Sequence, residues 1–247
     1  MREFHITDDG IHLHAKLDIP EGGGRRPLAI VFHGLTGNME ERHIRAVASA
    51  INEAGVATLR VELYGHGQSD GSFHEHTLYR WITNALAVID HAKALGFADG
   101  LYLCGHSQGG LLTMLVAAMR QDDVRAIIPL SPAVVIVDGA RRGELLGISF
   151  DPDHVPDELV AGDLALNGNY VRVAQTLDVD EAIRRFRKPV LLVHGSADRS
   201  VPVRYSIDAA EKYADARLVV LPDDDHGYSL HLDEMTEAVR AFLRCQA

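Results

Sequence analysis

Residues 2–19 alternate polar and apolar side chains on either side of Asp8-Asp9-Gly10. A period of two around a turn predicts a β-hairpin. A glycine-rich loop follows at 21–26, and Leu28 to Phe32 is a continuous apolar run, the pattern of a buried strand. Residues 40–54 read as a helix stopped by Gly55, and 56–61 as the next strand. In 78–95, Trp81, Ala85, Val88, Ile89, Ala92 and Leu95 recur at helical spacing until Gly96 ends the pattern. Leu101 to Cys104 then reads as a strand, Gly110 to Arg120 as a helix and 124–130 as a strand.

Residues 131–185 break this rhythm. They hold Pro132, Pro152, Pro156, several glycines and mixed charge. Such a stretch predicts an insertion, part loop and part short helix, of the kind that forms lids and binding loops. The rhythm resumes with a strand at 190–193, a helix at 203–213, a strand at 218–221 and a helix at 230–243. Strands alternating with helices predict an α/β fold, a largely parallel sheet covered on both faces. The 247 residues suit one domain, 1–247, with the insertion at about 131–185.

Composition narrows the function classes. The net charge of −11 opposes binding to a phosphate backbone, and no basic patch carries interleaved aromatics, so nucleic acid is excluded as a partner. The two cysteines, Cys104 and Cys245, make no disulfide framework. No apolar run reaches the ~18 residues of a membrane helix, and MREFHITDDG has no apolar signal core. The expectation is a cytoplasmic enzyme. His12 with His14, and His74 with His76, lack a third ligand at a recognisable spacing, so no metal is assigned.

Residues 105–109 read Gly-His-Ser-Gln-Gly, the G-x-S-x-G pattern in which a serine sits on a tight strand-to-helix turn. With a predicted strand before it and a helix after it, Ser107 is the candidate nucleophile. A serine hydroxyl needs a base, and the base needs an orienting acid. In chains with this elbow the order is Ser, Asp or Glu, then His. Asp198 follows the strand at 190–193, and His226 follows the strand at 218–221. Both therefore lie beyond the carboxyl ends of strands, where open α/β sheets place their chemistry. Asp208 and Asp215 lie on or beside a helix, Asp223 to Asp225 are too close to His226, and His231 falls in the final helix. Two backbone N–H groups should stabilise an oxyanion: Gln108, after the nucleophile, and Leu35, in the loop His33-Gly34-Leu35. His33 reads as a structural hydrogen-bonding histidine, and His194 as one that packs or bonds to backbone.

HGLTGN at 33–38, LYGHGQSDG at 63–71, GHSQGG at 105–110, HGSAD at 194–198 and the DH at 225–226 resemble the α/β-hydrolase superfamily. ERHIRAVASAINEAG at 41–55, SPAVVIVDGARRGELLG at 131–147, FDPDHVPDEL at 150–159 and GNYVRVAQTL at 168–177 resemble the bacterial cinnamoyl (feruloyl) esterases. The resemblance implies a mostly parallel eight-stranded sheet with a small cap. It implies hydrolysis of hydroxycinnamate esters by Ser107, Asp198 and His226, with Leu35 and Gln108 as oxyanion donors. No cofactor is implied, the partner is a small aromatic ester, and a homodimer is compatible with it. Asp138 and Tyr170 match cap residues that meet the ring's 4-hydroxyl. Some members carry a tryptophan near Gly162, so the pocket here is expected to be wider. Two other functions stay open: another small-ester, monoacylglycerol or lysophospholipid hydrolase, and a ligand-binding protein that keeps the fold.

Overall fold

A computed structural model describes residues 1–246. The N-terminal hairpin forms as β1 (Arg2–Asp8) and β2 (Ile11–Asp18), paired antiparallel from Arg2↔Leu17 to Asp8↔Ile11. The strands that follow are β3 (Arg26–Phe32), β4 (Ala57–Val61), β5 (Ala98–His106), β6 (Val124–Leu130), β11 (Val190–Gly195) and β12 (Ala216–Leu221). They join the hairpin in one eight-stranded sheet of order β1-β2-β4-β3-β5-β6-β11-β12. The β2–β4 contact is antiparallel, and every contact from β4 onward is parallel.

Alternate residues of the parallel strands enter two cores, which is why these strands read as unbroken apolar runs. Leu28, Ile30 and Phe32 of β3 pack on the face covered by α2 (Leu78–Ala94), α3 (Gln108–Met119) and α7 (Arg204–Lys212). Ala29 and Val31 pack on the other face, under α1 (Arg42–Glu53) and α8 (Leu232–Arg244). α3 lies deepest, with residues 108–118 all buried, so its first turn is fixed against the sheet.

Residues 131–185 hold α4 (Val135–Arg142), the hairpins β7 (Glu144–Leu145) with β8 (Ile148–Ser149) and β9 (Glu158–Ala161) with β10 (Leu164–Asn167), then α5 (Gly168–Thr176) and α6 (Val179–Arg185). The two small hairpins are not predicted by the sequence pattern. Their strands of two and four residues are too short to display a period. Buried Ile136, Val137, Leu145, Leu159 and Leu166 join these elements to the α2–α3 face.

Candidate active site

β5 ends at His106 and α3 begins at Gln108, so Ser107 alone makes the turn. Its φ of 57° and ψ of −119° lie outside the regions favoured by L-residues. Such strain persists where the surroundings over-determine it. Here Ser107 N–H donates to the Leu130 carbonyl at 2.9 Å, and the Ser107 carbonyl accepts from Leu111 at 3.0 Å and Ala133 at 2.9 Å. Glycine is required at both flanks. A Cβ on Gly105 would strike the Gly109 backbone, and one on Gly109 would strike the carbonyls of Phe32 and His33.

Asp198 sits in the loop after β11 with its side chain fully buried. Oδ1 accepts from the N–H groups of Ser200 and Val201, each at 2.8 Å. Oδ2 faces His226 Nδ1 at 2.6 Å and His194 Nε2 at 3.1 Å. Burial by itself would raise the pKa of this carboxyl. Hydrogen bonds from His194 and His226, with the attraction of His226, outweigh it and hold the group well below the usual carboxylate range. Asp198 is therefore an anion that orients the His226 ring. With Nδ1–H donated to Asp198, Nε2 of His226 is left as the free base nitrogen. His226 and Ser107 line one cavity of about 740 Å³. No hydrogen bond joins Ser107 Oγ to His226 among the described residues; in unliganded enzymes this contact commonly tightens only with substrate.

Of the two predicted donors, Leu35 lines the same cavity and Gln108 directly follows Ser107 at the start of α3. Leu35 N–H has no acceptor among the described residues, nor does Gln108 N–H, the first amide of α3. His33 explains the direction of the first. Its Nε2 accepts from Leu63 N–H at 3.1 Å, so the proton is on Nδ1, which donates to the Gly34 carbonyl at 2.8 Å. Burial, then repulsion from His66, pushes its pKa down to about 3, so the ring is neutral. Carbonyl and N–H of a trans peptide point in opposite directions. Drawing the Gly34 carbonyl toward His33 thus turns the Leu35 N–H away from it. His66 Nε2 bonds the next carbonyl, that of Leu35.

Sequence reasoning misses the supports of His226. His106 Nε2–H donates to the His226 carbonyl at 2.7 Å, and His43 Nε2–H donates to His106 Nδ1 at 3.0 Å. Burial holds His106 well below its usual pKa and His43 down to about 4, so both rings are neutral links. Arg42 donates to the Tyr228 carbonyl at 2.9 Å, and Tyr228 hydroxyl donates to the Val193 carbonyl at 3.0 Å. The buried Asp224 carboxylate collects the N–H groups of Asp225, Leu230 and His231. None of these residues has a spacing that marks it: His43, His106, Arg42 and Tyr228 act through partners distant in the chain, and Asp224 through the backbone of its own loop. The second residue of the G-x-S-x-G motif, His106, is the one available signal.

The expectation for Asp138 and Tyr170 is not met by this arrangement. Asp138 does not line the Ser107 cavity, whereas its neighbour Gly139 does. Its carboxylate accepts from Tyr205 hydroxyl at 2.6 Å and from Arg142. Tyr170 is fully buried, and its hydroxyl donates to Gln108 Oε1 at 2.5 Å. Both hydroxyl-directed groups are thus engaged within the protein. Gly162 forms the turn of the β9–β10 hairpin at φ +61°, where a Cβ would meet nothing within 4 Å. It lies outside the cavity wall, which Leu164 joins instead. Among the described residues there is no group of three side chains able to hold a metal, and no helix long and apolar enough to cross a membrane.

Three comparisons bear on this site. Est1E from Butyrivibrio proteoclasticus, solved with ferulic acid bound, is 52% identical, covers 98% of each chain and superposes with a TM-score of 0.97. Mouse alpha/beta hydrolase domain-containing protein 10 shares the fold at TM-score 0.80 and 20% identity, over 100% of each chain. The human mitochondrial palmitoyl-protein thioesterase ABHD10 is 26% identical over 215 residues, 82% of this chain and 68% of that protein. The sequence pattern of the family described as serine aminopeptidase, S33 matches residues 24–149, just over half of the chain. With that match, the eight-stranded sheet and the likeness to Est1E, the chain belongs to this family of α/β-hydrolases.

Proposed function

We propose that this protein hydrolyses esters of hydroxycinnamic acids through an acyl-enzyme formed on Ser107. The observation that carries the reading is the 52% identity, over 98% of both chains, to an esterase-like fold holding ferulic acid. The cavity supports it. Val135, Ile136, Leu145, Val201 and Pro202 line it and offer an apolar bed for a flat aromatic acyl group.

In the first half-reaction Ser107 Oγ attacks the ester carbonyl while His226 Nε2 takes its proton. The oxyanion forms against the N–H groups of Leu35 and Gln108. The bond to the alcohol oxygen breaks as His226 returns the proton to that oxygen. Water then attacks the acyl-enzyme by the same path, releasing the carboxylic acid and restoring Ser107. Asp198 stays ionised throughout and stabilises the imidazolium. The chain's own residues supply every group in this sequence.

The test is kcat/KM for ethyl ferulate and chlorogenic acid beside 4-nitrophenyl esters of two, four and eight carbons and a monoacylglycerol. Aryl esters are expected to lead by at least about tenfold. A lead for the aliphatic or glyceryl esters would move the substrate to a fatty acyl group, the class named for the thioesterase relative. Binding of ferulate esters with no turnover of any ester would favour the non-catalytic reading.

Two variants test parts of the site. His33→Ala releases the Gly34 carbonyl and lets the Leu35 peptide turn. Removal of one oxyanion donor costs roughly 10²–10³ in turnover, so the expected fall in kcat is up to about 10²-fold with KM little altered. An unchanged kcat would mean that the loop is held without His33. Tyr170→Phe removes a hydroxyl bonded to Gln108 rather than one facing the cavity. It should lower kcat/KM for ferulate and cinnamate esters by the same factor. Loss confined to ferulate esters would return Tyr170 to the ring hydroxyl.

A further inference from the structure

Three arginines border the Ser107 cavity: Arg142 in the last turn of α4, Arg199 directly after Asp198, and Arg204 at the start of α7. A chain of net charge −11 has assembled three cations at one opening. Two of them gather at one carboxylate, Arg142 by direct pairing and Arg204 through the Tyr205 hydroxyl. Asp138 pairs with Arg142 and accepts from the Tyr205 hydroxyl at 2.6 Å. Arg204 Nη2 reaches the same hydroxyl at 3.4 Å, with its guanidinium 5.1 Å from the Tyr205 ring centroid. Two guanidinium ions around one carboxylate leave a positive surplus. Arg199 makes no ion pair or side-chain hydrogen bond among the described residues, so its guanidinium is unspent.

The cavity's carboxylates do not cancel this surplus locally. Glu41 also lines the cavity, 3.8 Å from the neutral ring of His43, and pairs with none of the three arginines. Glu144 follows the left-handed glycine that ends α4 and pairs with none of the three arginines. Guanidinium groups recognise planar oxyanions through paired N–H donors. A cationic opening in an acidic protein also gathers anionic ligands from solution.

We propose that Arg142, Arg199 and Arg204 form an anion subsite of the cavity, which selects esters bearing a free carboxylate. This rests on the esterase reading above. The subsite acts on the charged end of the substrate, apart from the ester carbonyl at Ser107. Asp138 and Tyr205 hold Arg142 and Arg204 in place, which is the use the structure makes of Asp138.

A matched pair of substrates isolates the effect: chlorogenic acid, a caffeoyl ester with one free carboxylate, and its methyl ester, in which that carboxylate is masked. The ratio of their kcat/KM values is expected to exceed about 10 at low salt and to fall as ionic strength rises. Arg199→Gln should lower the ratio; it breaks no internal pair, so folding is not at issue. The double change Arg142→Gln with Arg204→Gln should bring the ratio close to 1. A wild-type ratio near 1, with both esters turned over, overturns the subsite and leaves the esterase reading standing. If neither ester is turned over and ethyl ferulate is not either, the esterase reading fails. Calorimetric Kd values of the pair on Ser107→Ala protein then decide the subsite separately, and equal affinities overturn it.

Discussion

Alanine at position 107 is expected to reduce kcat for ethyl ferulate by about 10⁶-fold, to the level left by the oxyanion donors and binding alone. Asparagine at 198 is expected to cost about 10⁴-fold. The second figure follows from the hydrogen bonds. Asp198 Oδ2 fixes the His226 proton on Nδ1 at 2.6 Å, and an amide at this place can present N–H instead of an acceptor. The ring would then turn or change tautomer, and Nε2 would no longer be a free base facing Ser107. KM should move little in either variant, because neither side chain forms the apolar bed. Circular dichroism and urea titration must show a folded protein. For Ser107→Ala that is assured by the backbone bonds of residue 107, which alanine keeps. Turnover within tenfold of wild type in Ser107→Ala would remove Ser107 as nucleophile. The same result in Asp198→Asn would pass the orienting role to another acceptor.

The legibility of this site follows from how each residue acts. Ser107, Leu35 and Gln108 lie in short contiguous motifs whose backbone geometry is local, so their positions can be read from the chain. Asp198 and His226 follow from one regularity, that side chains beyond the carboxyl ends of strands converge. β11 and β12 are adjacent and parallel, and their loops meet as that regularity requires. The sheet was legible for a similar reason: strands buried on both faces write long apolar runs. The segment 131–185 was not, because its hairpins have two to four residues per strand. Asp138 illustrates a different failure. Its placement in the cavity rested on likeness of sequence, and in a short helix one position turns a side chain by about 100°. Gly139 faces the cavity and Asp138 faces Tyr205 and Arg142. The neutral histidine links are invisible for a third reason: their bonds span 63 residues from His43 to His106 and 120 from His106 to His226.

Those histidines carry the largest expected effect on stability. His33, His43, His76 and His106 are all buried. Burial holds His33 down to about 3 and His43 and His76 down to about 4, with His106 well below its usual value. In the unfolded chain each titrates near 6.5. Below that pH the unfolded chain takes up four protons that the folded protein refuses. A group whose pKa is depressed on folding contributes stability that is present above the unfolded pKa and lost as pH falls toward the folded one. The loss is about 1.4 kcal/mol per pH unit for each histidine. Four together remove several kcal/mol between pH 7 and pH 5, a large part of the ~5–15 kcal/mol that holds a domain folded. Asp198 adds loss of the same sign, but only below about 3.9, where the unfolded carboxyl begins to protonate. His154 and His231 act oppositely, since donating hydrogen bonds to the Asp151 and Glu234 carboxylates raises their pKa values; both are solvated pairs, so the effect is small. Urea midpoints at pH 7, 6 and 5 should therefore fall steeply. His76 is the member to remove. Its Nε2 is buried without a partner, and its Nδ1–H bonds only the Phe73 carbonyl at 2.5 Å. His76→Leu should keep the fold and lower the slope by about 1.4 kcal/mol per pH unit. Equal urea midpoints at pH 7 and pH 5 in the wild-type protein would mean that these rings accept protons in the folded state. The neutral links from His43 through His106 to the His226 carbonyl would then need to be redrawn.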